Sequence, residues 1–318
     1  MKLFRKLIKP IAIYLLPTIA IITFFEVGLR KVLNTYNKRK IVFEKNIADY
    51  QILVLGSSHA FRGINPALFR HKGFNLANAS QTLYYDLEIV KKYIDRMPAL
   101  KMVLINVDFL SFEFDLDKSQ EYWRCFFYEK HLNIPLESNN HRFDIKRFSL
   151  ADMYGRKRSL GFFLKGFNVD LAKSVADDGF MAKDITHNDR NLISTFSGKK
   201  RADYHRQFCL GITDPSENIA YLEELIKLLK DHDVTPVIMT IPTFITYYQN
   251  FSEGERAFIT NTAKAIGKKY SVNYFDYLKD PRFIISDFYD NDHLCHHGAN
   301  KFSRIINQEI LIPLFRKE

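Results

Sequence analysis

An apolar run that ends abruptly in small polar residues constrains this chain more than any other feature. Residues 51–60 read Gln-Ile-Leu-Val-Leu-Gly-Ser-Ser-His-Ala. Four consecutive apolar residues bounded by glycine predict a buried strand. The carboxyl ends of such strands are where open α/β sheets bind their ligands. Ser58 is therefore a candidate nucleophile, with the alternative that the Ser-Ser turn only caps the following helix.

A second polar cluster lies near the C-terminus, in residues 287–303. Asp290 and His293 are three residues apart, just before Gly298 and an apolar helical pattern. A carboxylate this close to an imidazole can orient the ring and stabilise its protonated form, and the ring can accept a serine proton. The sequence therefore predicts Ser58 as nucleophile, His293 as base and Asp290 as the acid that orients it.

These motifs resemble the SGNH (GDSL-like) hydrolase and acyltransferase superfamily. Gly56-Ser57-Ser58 ends the first strand as in that family. The family's C-terminal block, Asp-x-x-His-Leu-Asn-x-x-Gly-Ala-x-x-Phe-Ser, has Cys295 where asparagine is common. The matched positions are Asp290, His293, Leu294, Gly298, Ala299, Phe302 and Ser303. The resemblance covers residues 48–115 and 216–312.

More narrowly, the chain is similar to membrane-anchored members that modify cell-envelope polymers, such as alginate O-acetylation proteins and the D-alanyl transfer protein of teichoic acid synthesis. This resemblance implies serine-dependent acyl transfer, with O-acetyl as the expected group, to an envelope polysaccharide or related polymer. It also implies an extracytoplasmic catalytic domain and a membrane-bound O-acyltransferase as partner. A carbohydrate esterase or deacetylase of the same fold and a non-catalytic, membrane-tethered polymer-binding scaffold are the alternatives.

The predicted oxyanion donors are the backbone N–H groups of Ser58 and Ser80 and the side chain of Asn78. Ser80 stands where the family usually has glycine, and a left-handed backbone there would strain a serine. The family's Gly-x-Asn-Asp block is absent, and Asn106 or Asp108 at the end of the third strand is a candidate substitute donor, with the alternative that both are only strand-end residues. An α/β-hydrolase is a weaker alternative, because residues 56–60 nearly fit Gly-x-Ser-x-Gly, but the serine lies on the first strand.

Apolar runs and helical periodicities alternate along the chain, which predicts an α/β domain with a parallel sheet of about five strands and helices on both faces. The predicted strands are 52–55, 102–109, 235–242 and 272–277, with a short strand and a turn over 74–81. The predicted helices are 84–97, 216–233, 254–270 and 298–315. Residues 116–215 show no steady period and are interpreted as an insertion of short helices over the active-site edge, serving as a lid or a partner surface.

The net charge of +10 is concentrated at the N-terminus, where residues 1–40 hold nine Lys or Arg and one acid. The rest of the chain is nearly balanced, which argues against a nucleic-acid-binding face. Lysines and arginines precede an apolar run over 11–25, so residues 1–30 are predicted to be a single-pass signal anchor. A cleaved signal peptide is the alternative. Residues 31–47 are then a connector, and 48–318 the SGNH-like domain.

The cysteine and histidine patterns do not predict a metal or a cofactor. Cys125, Cys209 and Cys295 form no spaced pair, although one disulfide is compatible with a location outside the cytoplasm. His293, His296 and His297 lie close together with acids, but no remote Cys or His stands at ligand spacing.

Overall fold

A five-stranded parallel sheet lies at the centre of the computed structural model, in the order β2-β1-β3-β4-β5. The structure describes residues 2–183 and 193–315, with the side chains of residues 2–12 left undescribed. The strands are β1 (Ile52–Leu55), β2 (Gly73–Asn75), β3 (Met102–Asn106), β4 (Thr235–Met239) and β5 (Asn273–Phe275). The predicted α/β class and the five-stranded parallel sheet are confirmed.

The two central strands explain why the sheet forms. Every residue of β1 and β3 is buried, as expected for strands whose two faces are both covered by helices. The chain passes from β1 to β2 on one side and then to β3 on the other side of β1. This reversal makes a crevice at the carboxyl ends of β1 and β3, where doubly wound sheets bind ligands.

Helices cover both faces of the sheet and form an additional layer at the crevice. In the described part of the chain they are α1 (Lys2–Leu29), α2 (Thr35–Lys45), α3 (Ser58–Gly63), α4 (Leu83–Tyr93), α5 (Cys125–Phe127), α6 (Ile145–Phe148), α7 (Leu150–Tyr154), α8 (Arg156–Leu164), α9 (Thr195–Phe208), α10 (Pro215–Asp231), α11 (Ile245–Tyr248), α12 (Glu253–Tyr270), α13 (His296–Ile306) and α14 (Ile312–Phe315). The π-helical turns Tyr128–Leu132 and Asn307–Leu311 follow α5 and α13.

The described part of residues 116–215 contains four short helices, α5 to α8, and the 14-residue helix α9. Residues 184–192 lie outside the described residues. The predicted helix over 298–315 is interrupted, because the π-helical turn separates α13 from α14. The helix predicted from Ser216 is α10, whose cap is Asp214: its carboxylate accepts from the Ser216 N–H at 2.9 Å.

The predicted transmembrane anchor over residues 1–30 is not supported. Among the described residues, no helix combines the length and the apolar character needed to cross a bilayer. The last turns of α1, which the prediction included in the span, pack against the domain. The Glu26 carboxylate accepts hydrogen bonds from the Ser149 hydroxyl and the Leu150 N–H, and Leu29 is fully buried.

Helix α2 occupies most of the segment predicted as a connector. Asn34 caps it through a reciprocal pair of hydrogen bonds with Asn37. Tyr36, Arg39 and Phe43 are buried against the body of the domain.

Candidate active site

The structure brings Ser58, His293 and Asp290 into one hydrogen-bonded row. Ser58 Oγ lies 2.8 Å from His293 Nε2. The opposite ring nitrogen, Nδ1, lies 2.9 and 3.0 Å from the two Asp290 carboxylate oxygens. Asp290 also accepts from the backbone N–H of His293 at 2.8 Å, so one turn of chain fixes the acid relative to the ring. In this geometry His293 can take the Ser58 proton while Asp290 holds the ring orientation.

The β1–α3 turn places Ser58 at the crevice. Gly56 has φ +126°, and a Cβ on it would lie 2.7 Å from the Asn106 Cβ, so the turn requires glycine. Ser57 is the N-cap of α3, and its hydroxyl donates a hydrogen bond to the Asp108 carboxylate. The two adjacent serines therefore differ in role, because only Ser58 reaches His293.

The loop that carries His293 is held by α13. Phe288 and Leu294 form an isolated antiparallel bridge across the loop, and the Cys295 N–H donates to the Asp287 carbonyl at 3.0 Å. A Cβ on Gly298 would lie 1.9 Å from that same carbonyl oxygen. Glycine at this position thus allows α13 to pack directly behind the loop.

A second imidazole, which the sequence interpretation missed, lies beside the first. His59 is buried, and its Nδ1 lies 2.9 Å from Asp108 Oδ2. Its ring stacks on that of His293 at 5.1 Å between centroids. Burial alone would lower the pKa of His59, but the hydrogen bond and charge of Asp108 outweigh it and raise the pKa. Asp108 therefore pairs with His59 and cannot donate to an oxyanion.

Asp292 is a buried carboxylate between these two rings. One of its oxygens lies 3.5 Å from His293 Nδ1, and the other lies 3.7 Å from His59 Nε2. Arg201 of α9 binds it from the opposite side at 2.9 Å. Burial would raise the pKa of Asp292, but the charges of His293 and Arg201 hold it well below its usual range. No sequence pattern indicated Arg201, which lies in the insertion.

A cavity of about 110 Å³ opens beside Ser58, and its lining includes Ser80, Leu83, Glu121, Arg201 and Phe208. Within the described residues, the backbone N–H groups of Ser58 and Ser80 make no hydrogen bond. Both belong to residues that line this cavity, so two of the predicted oxyanion donors remain available to a ligand.

Ser80 adopts the left-handed backbone that the sequence comparison with glycine suggested, with φ +58°. Its hydroxyl donates to the Glu121 carboxylate, which also accepts from Arg124 Nε at 2.8 Å. This contact with the insertion compensates for a conformation that costs a non-glycine residue about 1–2 kcal/mol. A glycine at this position has no side chain and could not make this contact with Glu121.

The two amide side chains considered as donors differ in their contacts. Asn78 Oδ1 accepts from the Ala79 N–H at 2.9 Å, and its Nδ2 makes no hydrogen bond within the described residues. Asn106 Nδ2 donates to the carbonyls of Val107 and Met239, at 3.1 and 3.5 Å. Asn78 therefore remains a candidate donor, whereas Asn106 is engaged by backbone.

Asp86 joins the two turns that carry Ser58 and Ser80. Its Oδ1 accepts from the Gly56 N–H at 3.1 Å and from Gln81 Nε2 at 2.6 Å. Burial raises the pKa of this carboxyl to about 7, more than the two hydrogen bonds lower it. Asp86 is thus a buried bridge across the floor of the cavity.

The remaining candidate ligand groups are a histidine–carboxylate cluster, in which His59 Nε2 has no hydrogen-bond partner within the described residues, and the three cysteines. His59, Asp292 and His293 present nitrogen and oxygen atoms within 4.8 Å of one another. Arg201 already pairs with Asp292, and both nitrogens of His293 have partners in the row described above. The three cysteines are buried and free, so the expected option of a disulfide is not realised.

Comparison with solved structures gives distant likenesses. No protein-family model and no curated protein matches the chain. A GDSL-like lipase from Bacteroides thetaiotaomicron has 9% identity and a TM-score of 0.41, covering 87% of this chain and 99% of that one. A Bacteroides fragilis protein assigned as an acylhydrolase has 11% identity and a TM-score of 0.37, covering 83% and 87%. A Streptococcus pneumonia protein assigned as a platelet activating factor has 11% identity and a TM-score of 0.40, covering 94% and 98%. With TM-scores below 0.5, these likenesses carry no weight in assigning an activity.

Proposed function

We propose that the chain is a serine-dependent acyl esterase or acyltransferase that works through an acyl-Ser58 intermediate. The observation that carries this proposal is the Ser58–His293–Asp290 row, with contacts of 2.8 and 2.9 Å, beside a cavity. A serine hydroxyl held by an imidazole, which is held in turn by a carboxylate, is the arrangement that activates serine for attack on an ester.

The acylation step follows from these contacts. His293 Nε2 takes the Ser58 proton as Ser58 Oγ bonds to the ester carbonyl carbon. The carbonyl oxygen becomes an oxyanion, to which the N–H groups of Ser58 and Ser80 donate. When the tetrahedral intermediate collapses, the bond to the leaving oxygen breaks and His293 gives its proton to that oxygen. An alcohol and acyl-Ser58 result.

The second step decides between transfer and hydrolysis. His293 takes a proton from an acceptor hydroxyl or from water, the acceptor oxygen attacks the acyl carbon, and Ser58 leaves with the proton returned by His293. We extend the proposal to O-acetyl transfer onto a cell-envelope polysaccharide by an extracytoplasmic domain, with the acyl donor supplied through a membrane-bound O-acyltransferase partner. The SGNH-like motifs support this extension, and the small cavity is consistent with a short acyl group.

The nucleophile assignment predicts that Ser58→Ala abolishes ester turnover and covalent labelling by a fluorophosphonate. Loss of a triad nucleophile lowers kcat by at least about 10⁴-fold. The measurement is steady-state hydrolysis of p-nitrophenyl acetate together with mass-spectrometric mapping of the labelled residue. Circular dichroism of the variant checks the fold.

Ser57→Ala is the matched control, because Ser57 is adjacent but its hydroxyl is directed to Asp108. This variant is expected to remain labelled at Ser58. Label on Ser57 in the unmodified chain, or full labelling of Ser58→Ala, would refute the assignment. An inert but folded chain would favour the polymer-binding scaffold.

The proposed location has its own test. Ser216 is exposed at the start of α10, whereas the three native cysteines are buried. In a background without those cysteines, Ser216→Cys is expected to react with a membrane-impermeant maleimide in intact cells. Reaction only after lysis would place the domain in the cytoplasm and remove the envelope polymer as acceptor.

A further inference from the structure

Arg39 of α2 is a buried cation held by backbone carbonyls. Its side chain is 3% exposed, and one guanidinium nitrogen donates to the Ala77 carbonyl at 2.5 Å while another donates to the Asn75 carbonyl. No carboxylate lies within ion-pair distance of it, and its Nε has no hydrogen-bond partner, within the described residues. Burial lowers the pKa of Arg39 to about 9.

This placement is costly for the fold. Removing a charged group from water is unfavourable unless a counter-charge and full hydrogen bonding compensate. Among the described residues no carboxylate lies within ion-pair distance of Arg39, and its direct contacts are the two carbonyls and the ring of Phe61, whose centroid lies 4.7 Å away. A neutral apolar side chain would fill the space at lower cost, so the contacts of the guanidinium need an explanation beyond packing.

The two carbonyls that Arg39 binds lie directly before the turn that carries Ser80. From Ala77 the chain continues through Asn78 to Ser80, whose left-handed backbone leaves its N–H free at the cavity. A displacement of Ala77 would therefore be passed along three residues to that N–H. An oxyanion donor loses most of its effect when it is misplaced by a fraction of an ångström.

Asn75 links the same segment to the helix of the nucleophile. Its Nδ2 donates to the carbonyls of Ala60 and Ile64, both at 2.8 Å, and its Oδ1 accepts from the Ala77 N–H at 3.0 Å. Arg39 thus fixes a segment that is bonded on one side to α3, which begins at Ser58, and continues on the other side into the Ser80 turn.

We propose that Arg39 is a positioning residue for the oxyanion hole: its guanidinium holds the Asn75 and Ala77 carbonyls so that the N–H groups of Ser80 and Ser58 converge on the same oxygen. The inference rests on the proposed esterase or acyltransferase activity. It gives α2, which lies outside the sheet, a defined effect on the chemistry at Ser58.

The test compares an ordinary ester with its thionoester, in which sulfur replaces the carbonyl oxygen. Sulfur is a weak hydrogen-bond acceptor, so an intact oxyanion hole favours the oxygen substrate strongly. Arg39→Met in the full chain is expected to lower kcat for p-nitrophenyl acetate by roughly 10²-fold, the effect of losing one oxyanion donor. KM should change less than about threefold, and the preference for oxygen over sulfur should fall. Arg39→Lys, which keeps the positive charge, should restore part of the kcat and part of the preference for oxygen over sulfur.

Lys38→Met is the matched control. Lys38 is the neighbouring residue of α2 and ties this helix to Asp170 and to the Ala172 carbonyl, each at 2.9 Å. Its loss should lower thermal stability without changing the oxygen-to-sulfur preference. A folded Arg39→Met with unchanged kcat and preference would overturn the inference, as would an equal change in Lys38→Met.

Different results would refute the proposed activity and the proposed positioning role of Arg39. An unmodified chain without turnover and without Ser58 labelling refutes the activity itself. An active unmodified chain whose Arg39 variants keep its preference refutes only the positioning role. If neither Arg39→Met nor Arg39→Lys folds, Arg39 is a folding residue and the inference is wrong.

Discussion

At the scale of single residues, neighbouring side chains of the same type have separate tasks because their partners differ. Ser57 and Ser58 are adjacent, yet one caps α3 and donates to Asp108 while the other contacts His293. Asp290 and Asp292 show the same division. Asp290 makes two short contacts with the His293 ring, whereas Asp292 forms an ion pair with Arg201.

Arg201 is therefore expected to limit the influence of Asp292 on the base. Arg201→Gln removes the cation from a buried carboxylate that lies 3.5 Å from His293 Nδ1. The uncompensated negative charge then favours the imidazolium form, which cannot accept the Ser58 proton. We predict that the acid limb of the kcat/KM profile moves to higher pH, measured with a neutral acetyl ester.

Arg206→Gln serves as the control, since Arg206 lies on the same helix but pairs with Asp203 and Glu255 at the exposed surface. Its pH profile should match that of the unmodified chain. An acid limb that stays in place in Arg201→Gln, or moves to lower pH, would contradict the role given to Arg201.

At the scale of elements, the sequence could predict what depends on local pattern. The apolar runs of β1, β3 and β4 mark buried strands, and polar residues at a strand end mark the crevice, so Ser58 and Asp108 could both be noticed. Which partner each takes depends on strand order, because β1 lies beside β3 in the sheet. The pairing of Asp108 with His59 therefore could not be read from spacing.

The packing of the N-terminal helices and of the insertion could not be predicted from local sequence. An apolar run predicts a helix over α1, but its packing depends on contacts more than 120 residues away, such as that of Glu26 with Ser149. Likewise, α9 lies in a segment without a period, and nothing in its pattern indicates that Arg201 reaches Asp292. Tertiary contacts, which local propensity does not encode, decide both cases.

At the scale of the whole molecule, the buried bridge Asp86 makes the free energy of unfolding depend on pH. Its carboxyl is 1% exposed, and burial raises its pKa from 3.8 to about 7. The unfolded chain therefore releases this proton at lower pH than the folded chain. Asp86 contributes most to stability below about pH 4, and that contribution is lost as the pH rises to about 7.

We predict that Asp86→Asn, which keeps an oxygen acceptor for the Gly56 N–H and for Gln81, becomes progressively more stable than the unmodified chain between pH 4 and 7. The difference in free energy of unfolding should then level off. At 1.36 kcal/mol per pKa unit, its upper limit is roughly 4 kcal/mol. Urea unfolding followed by circular dichroism at several pH values measures this difference.

The same series for Asp95→Asn, whose side chain is 88% exposed, is the control and reports the loss of a surface carboxylate. A constant difference between pH 4 and 7 for Asp86→Asn would show that this carboxyl is already ionised in the folded protein, and that its bridge between the Ser58 and Ser80 turns is an ionic one.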